Sequence, residues 1–243
     1  MAEYMAIDLP GKPLYPKQFN VSVRKITPIE QKYIISLGKK EQRNSKDYLN
    51  FVKKLVAFDN PEMTFEELFA FDLRYILYRI RFATYAKYPV KLTYRCLNPD
   101  CKSDITEELN LDTLQIYEPS DLKDVKFEIN LEKLGPVAIR NKIVKDDVEI
   151  EEFVKRHNID EDNFDMRLLF LDLLAVSEGR SLEEMYKLAE EDQITAEDIA
   201  NIEHWLEKAV WGVKEELKVK CPKCGKEETR AYELVLEDFF SAF

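Results

Sequence analysis

The chain has 243 residues, 45% of them hydrophobic, with 14 Phe, 12 Tyr and a formal net charge of −11. That apolar content excludes a mostly disordered chain, and the length allows one large domain or two small ones. No run of about 18 apolar residues exists to span a membrane. The opening MAEYMAIDLPGKPLYPK lacks the basic and apolar stretches of a secretory signal, so a reducing compartment is expected.

Residues 1–26 read as an extended arm. Pro10, Gly11, Pro13 and Pro16 oppose helix, and FNVSVRKI (19–26) alternates like a half-buried strand. Leu9, Leu14, Tyr15 and Phe19 are costly to leave in water, so the arm is expected to lie across a neighbour. Residues 1–60 hold eleven Lys and Arg against six Asp and Glu, leaving the remainder strongly acidic. A basic head on an acidic body suits docking onto other proteins and argues against wholesale nucleic-acid binding.

Helices follow over 27–89. Thr27, Pro28 and Glu30 form a capping box with proline at the first helical position. SKDYLNFVKKLVAF (45–58) places Tyr48, Phe51, Val52, Leu55 and Val56 on one helical face. A second box, Thr64 with Glu67, is expected to open a long helix through Leu68, Phe71, Tyr75, Ile76 and Ile80 to Pro89. Its Arg74, Arg79 and Arg81 read either as snorkelling at the helix edge or as paired with an acid such as Asp72.

A β-rich region spans 90–144. VKLTYRC (90–96) and DITEELNL (104–111) flank a first cysteine pair, and 126–133 with 136–144 read as a hairpin turning near Gly135. Residues 145–214 are helical again, in segments near 146–156, 163–176, 181–190 and 195–213, the last two capped by SLEE and TAED. The final segment, 215–243, places EELKVK and EETRAYELVL around a second cysteine pair. It ends in LEDFFSAF, whose Phe239, Phe240 and Phe243 either pack on the chain's own knuckle or enter a partner's pocket.

The two cysteine regions, VKLTYRCLNPDCKSDITEELNL and EELKVKCPKCGKEETRAYELVL, resemble each other as strand, cysteine turn and strand. Two such turns facing each other supply four thiolates, the closed shell of a structural zinc. Cys96, Cys101, Cys221 and Cys224 are therefore the candidate ligands for one zinc per chain. Pro222 and Gly225 suit the second turn, while Asn98, Pro99 and Asp100 widen the first to four residues. A redox dithiol, an iron–sulfur cluster or four separate core cysteines are the alternatives. The expected fold class is α+β: a helical body, two β-knuckles joined as a zinc-ribbon-like clasp, and the extended arm.

No catalytic constellation emerges. His157 sits at a helix end, His204 lies beside Trp205 within a helix, and no glycine-rich phosphate loop is present. The expectation is a protein that is not an enzyme and takes no small-molecule substrate.

The arm DLPGKPLYP, VSVRKITPIEQK, FDLRYILYRIRFATYAKYPVKLTYRC and the terminal CPKCGKEE with LEDFF, in that order, resemble the baseplate hub family of contractile-tailed (myovirus) bacteriophages. The resemblance implies a structural part of the virion tail baseplate, made in the host cytoplasm. Its implied partners are other baseplate, hub, tail-tube or tape-measure proteins. Two other functions remain open: an assembly factor for baseplate or tape measure that leaves before maturation, and a zinc-ribbon nucleic-acid binder. The last draws on Lys218, Lys220, Lys223, Lys226 and Arg230, diluted by Glu216, Glu227 and Glu228.

Overall fold

The alternation of Val21 and Val23 puts both inward, and the strand they form is the centre of a three-stranded antiparallel sheet. β1 (Tyr4–Ile7), β2 (Val21–Arg24) and β3 (Val56–Phe58) lie in that order, with Met5 opposite Val23 and Val23 opposite Val56. The computed structural model describes residues 3–38, 45–86, 88–118, 122–160, 163–232, 234 and 239–240. Residues 3–26 are extended for the most part and pack on their own chain. Leu9 and Phe19 are buried, and the proline-bearing bend between them is pinned to the body through Gly11 and Tyr15.

α1 (Pro28–Gly38) starts at the expected box, with Glu30 accepting from the Thr27 N–H and Thr27 Oγ1 accepting from the Glu30 N–H. α2 (Ser45–Lys53) is shorter than its periodicity suggested. The backbone tightens as Lys54 and Leu55 donate to Phe51 and Val52, and Val56–Phe58 leaves the helix to pair with β2. A β-branched residue and an aromatic next to an unpaired strand edge favour the ladder over another helical turn. The Thr64–Glu67 box forms too, but caps only a short 3-10 turn (Phe65–Glu67). Leu68 and Phe69 are extended and bond across to Lys142–Val144, so α3 begins at Ala70 and ends at Tyr85.

α3 is the spine of the first core. Ile76, Leu77, Tyr78 and Ile80 are buried in it, together with residues of the N-terminal sheet, α2 and the C-terminal phenylalanines. Phe239 and Phe240 are fully buried against this helical body, not against a knuckle. Phe239 meets Tyr78 edge-on at 5.0 Å, and the Phe240 carbonyl accepts from Gln31 and Tyr85. Phe243 lies outside the described residues.

β4 (Val90–Arg95) pairs with β5 (Asp104–Leu109), and β10 (Glu216–Lys220) with β11 (Glu227–Ala231), as two separate antiparallel hairpins. β6 (Ile116–Tyr117) and β9 (Gly212–Val213) pair beside them. The hairpin of β7 (Glu128–Leu131) and β8 (Gly135–Ala138) turns at Gly135, whose φ of 76° is in the left-handed region. Grouped with the first knuckle in the sequence reading, this hairpin instead shares a second buried core with α4 (Val144–His157), α5 (Phe164–Ala175), α6 (Leu182–Glu190) and α7 (Ala196–Lys208). α7 stops at Lys208, short of the expected 213: Val210 is exposed and Val213 belongs to β9. The architecture is mixed α/β, with small antiparallel sheets, two large buried cores and a small third one at the knuckles.

Candidate metal centre

Each cysteine pair sits at the closed end of its hairpin, where the chain must reverse. In the second turn, Cys221 N–H bonds to Lys226 and Gly225 N–H returns to the Cys221 carbonyl. Gly225 takes a φ of 73° immediately after Cys224. The four-residue loop of the first turn converges on the same shape. Asp100 N–H bonds to Asn98 Oδ1, Cys101 and Lys102 N–H both reach the Asn98 carbonyl, and Lys102, just past the second cysteine, has a φ of 49°. An asparagine side-chain turn thus absorbs the two additional residues.

The hairpins bring all four sulfurs together, every one within 4.8 Å of the others. Cys96 Sγ lies 3.6 Å from Cys224 Sγ, and Cys101 Sγ 3.7 Å from Cys221 Sγ. These separations exceed a disulfide's ~2.05 Å by far. Ile105 and Val219 close the inner side, so Cys96 and Cys221 are buried while Cys224 is at the surface.

Ser103 was not singled out by the sequence reading, although it falls two residues past Cys101. Its Oγ lies 3.2 Å from Cys101 Sγ and 3.1 Å from Cys221 Sγ. The Ser103 hydroxyl first, and then the backbone N–H groups of Cys224 and Lys223, hold the Cys221 thiol down to about 6. Ser103 likewise lowers Cys101. Against the pull of the Asn98 N–H, burial and the Cys224 and Cys221 sulfurs push Cys96 up to about 12. Four convergent thiols on two rigid turns could hold a metal ion.

The surrounding surface carries both charges. Lys220 pairs with Glu227 at 2.9 Å and Arg230 with Glu228 at 3.0 Å, so two of the second knuckle's five basic residues are neutralised locally. Among the arginines of α3, Arg74 bonds to Glu215 at 2.7 Å, an acid beside β10, while Asp72 receives Gly11 and Tyr15. His157 contacts Glu183 at 2.9 Å near a helix end, and His204 is at the surface. No described helix is long and apolar enough to cross a membrane.

Fold and site together define a small mixed α/β protein whose two hairpins converge on a four-cysteine centre. The chain matches the family described as T4 bacteriophage base plate protein over residues 1–241, and it belongs to that family. No curated protein and no solved structure matches it.

Proposed function

We propose that this chain is a structural part of a contractile-tail baseplate, at the hub or inner baseplate, and that a structural zinc on Cys96, Cys101, Cys221 and Cys224 fixes its two knuckles as one clasp. The family match along residues 1–241 carries the baseplate reading. The sulfur geometry supports zinc: a tetrahedral shell with Zn–S of about 2.3 Å has edges of about 3.8 Å, close to the 3.6 and 3.7 Å of the two sulfur pairs. The metal would supply folding energy and no chemistry, since four thiolates leave no open position for substrate. The protein acts by binding other baseplate, hub, tail-tube or tape-measure proteins, without catalysis.

The supporting experiment is mass spectrometry of purified virions, with copy number calibrated against another tail protein, alongside metal analysis of the isolated chain. Presence at a few copies per particle and one zinc per chain is expected. Absence from finished particles despite expression would move the assignment to an assembly factor. A metal-free wild type as stable as the loaded protein would remove the zinc. Micromolar or tighter nucleic-acid binding at physiological salt would revive the zinc-ribbon reading.

A further inference from the structure

α5 is apolar around almost its whole circumference, FDMRLLFLDLLA, and a helix of that kind is expected to be enclosed on every side. Its C-terminal half is enclosed, with Asp172, Leu173, Leu174 and Ala175 all buried, but its first two turns are open on one side. Phe170, Leu173 and Leu174 enter the second core, whereas Phe164 is 69% exposed and Leu168, one turn on, is 39% exposed. A turn further along the same row stands Asp172, only 5% exposed, with no hydrogen-bond partner for its Oδ2. The charged group acting on it is Glu203 of α7, a like charge, and burial together with that neighbour raises the Asp172 carboxyl to about 7. That carboxyl is enclosed and takes up a proton readily, so the acids this face offers at the surface are Asp165 and Glu203. The region is acidic throughout, residues 144–208 holding twenty Asp and Glu against seven Lys and Arg.

The complementary surface is on α1, which belongs to the other core. Ile29 is 82% exposed and Tyr33, one turn on, 48% exposed. Lys25 and Lys32 are exposed beside them, and neither has an ion-pair partner among the described residues. Both faces present an apolar pair four residues apart, the spacing that lets two helices interdigitate. Two copies of the acidic α5 face would repel, so the matching contact joins unlike faces.

We propose that this protein self-associates head to tail, the Ile29–Tyr33 face of α1 in one copy seating on the Phe164–Leu168 face of α5 in the next, with Lys25 and Lys32 offered to the exposed Asp165 and Glu203. Each copy has one face of each kind. The contact is therefore heterologous and continues from copy to copy until it closes as a ring or runs on as a filament. It is independent of the metal clasp, whose failure would leave it standing.

The test is sedimentation of the full-length protein over a concentration series at low and high salt. The mass is expected to rise above the 28.7 kDa of one chain, and high salt is expected to reverse the rise. Ile29→Glu and Leu168→Glu, both surface changes checked for folding by circular dichroism, should each weaken association about tenfold or more. Mixed together, they leave one intact contact per pair and should give a two-chain species that grows no further. A wild type that stays monomeric overturns the proposal, as do single variants that still assemble or a mixture that remains monomeric. A monomer whose Phe164–Leu168 face binds a synthetic Lys/Leu amphipathic helix would assign that face to a different cationic partner and equally overturn it.

Discussion

Asp72 receives the Gly11 N–H at 2.8 Å and the Tyr15 hydroxyl at 2.7 Å, and it is completely buried. Burial raises its carboxyl to about 6, even though hydrogen bonds from Gly11 and Tyr15 pull it back. A folded value above the unfolded 3.8 means that folding takes up a proton between pH 3.8 and 6. This residue's contribution to stability is therefore largest in acid and is lost as pH rises through 6. The shift corresponds to about 3 kcal/mol. Asp72→Asn should flatten that part of the profile, which urea unfolding of both proteins at several pH values will read as a wild-type-minus-variant difference. No such pH-dependent difference would mean that the carboxylate stays ionised throughout. A Cβ added at Gly11 would stand 2.4 Å from Asp72 Oδ2, so the close approach of this bend requires glycine there. In the proposed zinc site, Ser103→Ala removes the hydroxyl beside Cys101 and Cys221. Zinc affinity, measured by competition with a chromophoric chelator, should fall about 10–100-fold while all four thiols remain.

Among the secondary-structure elements, what was legible depended on range. The boxes at Thr27, Thr64, Ser181 and Thr195 form where the residues specify them, because each needs only a hydroxyl and an acid three residues apart. Thr195→Ala should cost about 1 kcal/mol in thermal or denaturant unfolding, and more if Asp198 also loosens its hold on the Glu132 N–H. Helix ends set by distant partners were not legible. Val56–Phe58 is a strand because β2 lies beside it, and Leu68–Phe69 is extended because Lys142–Val144 pairs with it. The cysteine turns could be located from spacing alone. That they face each other follows from how β5 and β10 pack, and Ser103 becomes part of the centre only then.

At the level of the whole molecule, both described ends of the chain are structural. Phe239→Ala or Phe240→Ala should each cost about 3–5 kcal/mol, the range for emptying a buried aromatic site. An unchanged melting temperature would show that their pockets lie outside the stability core. Removing residues 1–18 takes away β1 and uncovers Asp72 and Trp211, so the truncated chain is expected to unfold or aggregate. A truncation that folds normally would return the arm to the role of a detachable contact.

The spacing of the cysteines also sets an order in time. Cys101 and Cys221 are 120 positions apart, and at ~5–20 residues per second the ribosome needs roughly 6–24 s to pass from one to the other. If zinc joins the two hairpins, then for that interval the nascent chain carries half of the proposed site, able to take up ions or oxidants loosely but unable to lock. Closure becomes possible only after the second hairpin has emerged and docked. A locked centre would thus mark a chain translated past Cys224, and a fragment that stops earlier would carry two unsatisfied thiols into the cell.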